Sequence, residues 1–266
     1  MFKRITVFIY GVFCYAVFFA TFLYAIGFFG NLWVPRSIDS PSEGGIAANL
    51  IIDVSLLLVF ALQHSVMARP AFKRGWTKLI PEPAERSTYV LASSLVLLLQ
   101  FVLWRPLGGP VWSVGGVGAN VLYGIYAFGW LLLLASTYAI DHFDLFGLRQ
   151  VWLYLRERPY THIRFKTLGP YRLVRHPIYV AWLLILWATP AMTVTHLFFA
   201  LGSTVYILAA IRFEEKDLIA HLGDDYRRYR DNVPMLIPFA GGKSTRSHGG
   251  TITPITRAGA SANHGD

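Results

Sequence analysis

The chain has 266 residues, of which 55% are hydrophobic and only 15% charged, with a net charge of +9 and a mean hydropathy of +0.46. Soluble domains carry about 25% charged residues, so this composition excludes an ordinary soluble domain. The positive charge is not a nucleic-acid signature: no RNP, zinc or helix-turn-helix pattern accompanies it. The basic residues alternate with apolar segments, where Lys and Arg report orientation instead.

In chain order, the first element is the uncharged run Ile5–Phe29, longer than the roughly 20 residues that cross a bilayer core. Lys3 and Arg4 precede it as in a signal peptide, but it is too long for an h-region and lacks a small-x-small cleavage site, so it reads as a retained span. Cys14 inside it is the single cysteine; it excludes an intrachain disulfide and reads as buried packing. Further spans are expected over 46–66, 87–104 and 118–140. The last apolar stretch, Ile178 to Ile211, is interrupted near Thr189-Pro190 and Thr193. Split at the proline, it gives two arms of roughly 16 residues, each about 24 Å long. That is a helical hairpin entering and leaving on one side; the alternative is one long tilted helix, which Pro190 disfavours. Arg212 to Asp231 continues as a polar helix whose apolar face, Leu218, Leu222, Tyr226 and Tyr229, suits the membrane interface. Pro234 and Pro238 end it. From Gly241 the chain is rich in Gly, Ser and Thr without periodicity, the composition of a disordered tail.

The fold class is therefore all-α: a polytopic integral membrane protein with four spans, a C-terminal helical hairpin and a cytoplasmic interfacial helix. A single transmembrane domain covers 1–240, with its ligand motifs in 160–235, and 241–266 is a disordered tail. With the N-terminus inside, only Arg36 and Arg105 fall outside, leaving 22 of the 24 basic residues inside or in the tails. The positive-inside rule then places both termini in the cytoplasm.

The informative stretch is Lys166-Thr-Leu-Gly-Pro-Tyr-Arg-Leu-Val-Arg-His-Pro-Ile-Tyr179. Pro177 fits the first turn of the fifth span. The positive end of that helix would face the cytoplasmic interface beside Lys166, Arg172 and Arg175, a setting for an anionic group such as a carboxylate. Equally, these cations could simply snorkel at the boundary, with Tyr171 and Tyr179 in an aromatic belt. Arg212-Phe-Glu-Glu215 stands at the other end of the hairpin, so Glu214 and Glu215 should lie close to His176. Their acidic charge could serve the helix dipole or accept hydrogen bonds from a ligand's ammonium or hydroxyl groups. Taken together, the two ends make a pocket compatible with a zwitterion. Asp53 sits mid-span, where an ionisable residue is a functional candidate; a helix-to-helix hydrogen bond to His64 or Asn49 is the equal alternative. His142-Phe-Asp144 supplies only two potential metal ligands, and no metal centre is expected.

Gly169-Pro-Tyr-Arg-x-x-Arg-His-Pro-x-Tyr179, Arg212-x-Glu-Glu215, Gly223-x-x-Tyr226-x-x-Tyr229 and Val233-Pro, as an ordered set, resemble the isoprenylcysteine carboxyl methyltransferase superfamily. Ala181 departs from a pattern that commonly has Gly. The resemblance implies S-adenosylmethionine bound at the cytoplasmic face by Arg164, Phe165, Lys166, Tyr171, His176, Pro177, Tyr179 and Glu214. Tyr10-Gly-Val-Phe-Cys-Tyr15, Ala20–Gly27, His64-Ser-x-Met-Ala-Arg69, Glu85-Arg-Ser-Thr-Tyr89 and His142–Arg149 are similar to a narrower group, the bacterial methanethiol S-methyltransferases. That likeness, which runs nearly end to end, implies a small thiol substrate, methanethiol converted to dimethyl sulfide, in a bacterial inner membrane. Transfer of methyl from a sulfonium to a thiolate annihilates charge, so a dry pocket favours it. A thiol is mostly protonated at neutral pH, and a base or cation that favours the thiolate would help. Arg212, Glu215, His142 and Asp144 are the candidates, and the residues do not choose among them. Two other readings stand beside this one. The His64-Ser pair with Glu85-Arg86 also resembles membrane proteins of nitric oxide metabolism and haem-dependent isomerases, which would make His64 a haem ligand rather than a structural or substrate-site histidine. The other is a prenylcysteine carboxyl methyltransferase.

Overall fold

The computed structural model describes residues 1–41, 44–161, 163 and 167–239. The tail expected over 241–266, and the cofactor candidates Arg164, Phe165 and Lys166, lie outside the described residues. Helices dominate: α1 (Phe2–Gly30), α2 (Ile46–Ala68), α3 (Pro70–Trp76), α4 (Glu85–Leu103), α5 (Gly116–Ile140), α6 (His142–Leu145), α7 (Leu148–Leu155), α8 (Pro177–Trp187), α9 (Val194–Leu222) and α10 (Asp224–Asn232). Of these, α1, α2, α5, α9 and α4 with its lead-in turn are long and apolar enough to cross a bilayer, and α8 is a shorter apolar helix. The protein is an all-α, multi-pass membrane protein. Pro70 starts α3, Pro177 starts α8, and the Thr193 hydroxyl caps α9 by accepting from the His196 amide at 3.0 Å, so the boundaries follow ordinary helix-start chemistry.

The core is aromatic and runs through the middle of the bundle: Phe28, Phe29, Phe101, Trp104, Trp130 and Phe199 form part of one buried cluster with Ile185 and Ala181. Helix α5 packs closely on α8. A Cβ on Gly129 would stand 3.0 Å from Ile185 Cγ1 and 3.2 Å from the Ala181 carbonyl. Small residues let backbones meet this closely in membranes, and fully buried Ala181 still fits where its likeness commonly has Gly.

The hairpin is present, but its arms are unequal. α8 has 11 residues and α9 has 29, about 16 and 43 Å at 1.5 Å per residue. Between them the chain runs extended, and Ala191–Thr193 pairs antiparallel with Pro110–Ser113 of the α4–α5 connection. We label these strands β2 and β1. This ribbon was not expected from the sequence; strands of three and four residues carry no readable period. It supplies partners to backbone that has left the helix: the Val114 amide donates to Pro190 O at 2.8 Å and the Val194 amide to Gly109 O at 3.0 Å, as non-helical backbone at membrane depth requires. The polar helix expected over Arg212–Asp231 is in fact two helices. Gly223 adopts φ +58°, a conformation that favours glycine, and the chain turns there into α10.

Asp53 resolves differently from either expected partner. Its Oδ1 accepts the Arg105 backbone amide at 3.0 Å, and Asn49, one turn earlier, donates to Pro106 O at 2.8 Å. Neither His64 nor Asn49 binds its carboxylate; α2 instead holds the start of the α4–α5 connection. On the same end of the bundle the Asp39 carboxylate receives hydrogen bonds from Asn31 and Thr193, with His196 Nδ1 3.9 Å away, a distance of electrostatic contact rather than hydrogen bonding. Burial alone would raise the Asp39 carboxyl, yet His196, Thr193 and Asn31 together hold it below the ordinary carboxylate value.

Candidate active site at the open end of the hairpin

The two ends of the α8–α9 hairpin meet at the face opposite the ribbon. His176, the residue before α8, places Nε2 3.1 Å from Glu215 Oε1 and Nδ1 3.8 Å from Glu214 Oε2. Thirty-eight positions of chain, counting from His176 to Glu214, fold back to bring these groups together. The same Glu215 oxygen accepts from Arg175 Nε at 2.8 Å and, at 3.4 Å, from the Tyr226 hydroxyl. Arg175 is thus fully engaged: its NH1 also reaches Arg230 O at 2.9 Å and Val233 O at 2.5 Å.

Backbone bonds complete a clamp. The Arg175 amide donates to Pro234 O at 2.9 Å and the His176 amide to Met235 O at 3.2 Å, while the Tyr229 hydroxyl donates to Tyr171 O at 2.7 Å. The Val233-Pro segment and α10 therefore lie along 171–176 and fix it. Burial and the Glu215 charge push the Tyr226 phenol up, so it stays a neutral donor at physiological pH.

Glu214 and Glu215 part ways here. Glu215 is inside the clamp. Glu214, with its side chain 45% exposed, faces outward from α9 towards Tyr171 and Tyr179. Burial and the Glu214 carboxylate raise the Tyr171 phenol, and the Tyr179 hydroxyl is within electrostatic reach of Glu214, Tyr206 and Tyr89. Of the expected cofactor set, Tyr171, His176, Pro177, Tyr179 and Glu214 are gathered beside the α8 N-terminus. Of the expected cationic wall, Arg175 serves the clamp, Arg172 is exposed and bonds Thr167 O at 3.2 Å, and Lys166 lies outside the described residues.

The four catalytic candidates do not converge. Arg212 is exposed on α9. Glu215 Oε1 already accepts from three donors. His142 is buried with both ring nitrogens engaged, Nε2 by the Tyr15 hydroxyl at 2.9 Å and Nδ1 by Thr137 at 3.0 Å, and it stacks on Tyr138. Asp144 accepts from Arg149 at 2.9 Å and Tyr160 at 3.2 Å. His142 and Asp144 therefore tie α5, α6, α7 and α1 together on the same face, and among the described residues neither hydrogen-bonds His176 or Glu214. Among the described residues no group of three or more His, Cys, Asp or Glu could hold a metal ion.

A second polar group was not singled out as a unit by the sequence. His64 on α2 meets Tyr89 on α4, whose hydroxyl lies 3.0 Å from both ring nitrogens, and Ser93 stands 3.4 Å from Nδ1. Next to it the Ser65 and Tyr206 hydroxyls are 3.1 Å apart, and the Arg86 guanidinium sits 5.1 Å over the Tyr89 ring. The signal was present in His64-Ser and Glu85-Arg-Ser-Thr-Tyr89, but nothing in either segment says that they face each other.

This chain is 56% identical over 243 residues to methanethiol S-methyltransferase of Crocosphaera subtropica, covering 91% of this chain and 95% of that protein. It is 51% identical over 238 residues to methanethiol S-methyltransferase 2 of Bradyrhizobium diazoefficiens, covering 90% and 92% respectively. The methanethiol S-methyltransferase of Mycobacterium tuberculosis is 49% identical over 238 residues, covering 89% and 98%. No family model and no solved structure matches the chain.

Proposed function

The chain belongs to the methanethiol S-methyltransferase family, and on that premise we propose that it methylates methanethiol to dimethyl sulfide with S-adenosylmethionine as donor. We place the reaction at the cytoplasmic face of a bacterial inner membrane, since 22 of the 24 Lys and Arg residues flank that face or lie in the tails. The observation that carries the donor site is the meeting of His176 with Glu214 at the open end of the hairpin, 3.8 Å apart.

The residues present fit such a donor. Among the described residues no basic side chain neutralises the Glu214 carboxylate beyond the long His176 contact, which suits an ammonium or a ribose diol. Tyr171 and Tyr179 flank it with neutral hydroxyls, and the α8 N-terminus, started by Pro177, favours a carboxylate. Adenosylmethionine, when bound, supplies a methyl group on a positively charged sulfur. Everything else falls to the chain. The clamp of Arg175, Glu215, Tyr226 and Pro234 holds His176 in place, Glu214 orients, and the aromatic surroundings keep water away from a reaction in which charge is annihilated. The 160–235 segment and the spans then act as one domain over 1–240.

Calorimetry of the detergent-purified protein with S-adenosylhomocysteine, together with conversion of methanethiol to dimethyl sulfide followed by gas chromatography, tests the reading. Saturable binding and adenosylmethionine-dependent product are expected. Absence of both from folded protein would refute it.

A further inference from the structure

Adenosylmethionine brings the methyl group, but methanethiol needs its own seat and a destination for its proton. This inference rests on the methyltransferase reading above. We propose that His64 is the base that takes the thiol proton, in a thiol site walled by α2, α4 and α9 and neighbouring the donor site along α9.

Commitment of the other candidates is the first reason. His142 has both nitrogens bonded, Asp144 is held by Arg149 and Tyr160, Glu215 accepts from three donors, and His176 is fixed between two carboxylates. His64 differs. A hydroxyl carries one proton, so Tyr89, although 3.0 Å from both ring nitrogens, can donate to only one of them. Ser93 approaches Nδ1 at a long 3.4 Å. With the ring proton on Nδ1, donated to the Tyr89 or Ser93 oxygen, Nε2 keeps its lone pair for a proton.

The second reason is chemical fit. Phe60 stacks on His64 at 5.3 Å, and the Tyr89 ring is 5.2 Å away, giving the apolar, polarisable walls that a methylthio group prefers. The Arg86 guanidinium lies over the Tyr89 ring and favours a thiolate formed beside it. The titratable and charged groups around the His64–Tyr89 pair are Arg86 and Glu85 from α4, Tyr206 from α9 and Tyr179 from α8. Val59, Leu62 and Val66 on the same helix are exposed, so in a bilayer an apolar thiol meets α2 directly.

The third reason is continuity. Tyr206, whose hydroxyl lies 3.1 Å from that of Ser65 beside His64, stands on α9 two turns before Glu214, about 12 Å along the same helix, so the two sites are neighbours. In the step, the S–H bond breaks and its proton passes to His64 Nε2. The thiol sulfur's electron pair forms the new S–CH3 bond as the bond from methyl to the donor sulfonium breaks, and that electron pair stays on the donor sulfur. His64 then returns its proton to solvent.

The experiment compares wild type with His64→Asn, His64→Gln and Tyr89→Phe. Each is measured for S-adenosylhomocysteine affinity, apparent melting temperature, and methanethiol turnover from pH 6 to 9. For His64→Asn and His64→Gln, affinity within about twofold of wild type is expected, with turnover at pH 7 reduced about a hundredfold, the lower end for loss of a general base. Turnover should then recover about tenfold per pH unit, because the free thiol must ionise by itself. Tyr89→Phe, a positioning change, should shift the acid limb of the wild-type profile without altering donor affinity. Turnover at pH 7 within threefold of wild type, or a loss equal at every pH, would overturn the proposal. If the His64 variants do not fold, an unshifted profile for Tyr89→Phe overturns it. Wild type that neither binds S-adenosylhomocysteine nor turns over would instead remove the methyltransferase reading itself.

Discussion

Two adjacent glutamates should respond to mutation in opposite ways. Glu215→Ala removes the acceptor of Arg175 Nε at 2.8 Å and His176 Nε2 at 3.1 Å, stranding a guanidinium whose side chain is only 10% exposed. Breaking a largely buried pair from one side costs about 3–5 kcal/mol, and partial exposure of Glu215 argues for the lower end. Glu215→Gln keeps an oxygen in place but loses its charge; since charge-assisted bonds are roughly twice as strong as neutral ones, about 1–2 kcal/mol should go. Glu214 lies outside the clamp, so Glu214→Gln should leave stability within about 0.5 kcal/mol, as ordinary surface changes do. It should instead lose one hydrogen bond from a charged ligand group, about 1.5–3 kcal/mol, which is a tenfold or greater loss of S-adenosylhomocysteine affinity. The assays are apparent melting temperature in detergent and calorimetry on the same preparations. The expected order of stability is wild type and Glu214→Gln together, then Glu215→Gln, then Glu215→Ala. A Glu215→Ala protein that melts with wild type, or a Glu214→Gln protein that binds S-adenosylhomocysteine with wild-type affinity, would refute the division of labour.

Three more outcomes follow from other parts of the fold. Reporter fusions at the C-terminus should be active only when the reporter works in the cytoplasm; a fusion active only in the periplasm would reverse the orientation and the donor face together. Gly129→Leu should lower the melting temperature and turnover together, since its side chain would press on Ile185 and Ala181 and move α8, overpacking that costs about 1–3 kcal/mol; unchanged behaviour would show that α5 and α8 do not pack this closely. For Asp39 the folded pKa is depressed, so its stabilisation is present above the unfolded value of about 3.9 and is lost as pH falls through the folded value. Between pH 6 and 3 wild type should lose melting temperature more steeply than Asp39→Asn, and equal slopes would show that Asp39 contributes nothing to acid stability.

The spans were legible because lipid enforces long uncharged runs, and α1, α2, α4 and α5 begin and end within a few residues of where those runs do. Pro190 also announced the hairpin correctly. What it could not announce is how the turn is made. The chain leaves the helix after Trp187 and regains it at Val194 because β1 offers partners, and a partner segment almost eighty positions earlier leaves no trace in the hairpin's own residues. Asp53 taught the same lesson. A carboxylate in a span implies a partner, but a backbone amide of Arg105 has no side-chain signature, so the sequence could suggest only His64 or Asn49.

The motif itself was readable as a set of residues but not as a division of roles. Arg175, His176, Glu214 and Glu215 all look like ligand groups when charge and spacing are the only guides. Successive residues on a helix point about 100° apart at 3.6 per turn, so Glu214 and Glu215 approach His176 from different directions and only one turns outward. Which of them turns outward depends on the rotation of α9, and that rotation is fixed by groups far from either residue: Tyr226 beyond the Gly223 turn, and Arg175 with its reach to Arg230 and Val233. The Gly223, Tyr226 and Val233-Pro positions, which act on Glu214 only through this clamp, therefore belong to the motif because they set which glutamate turns outward.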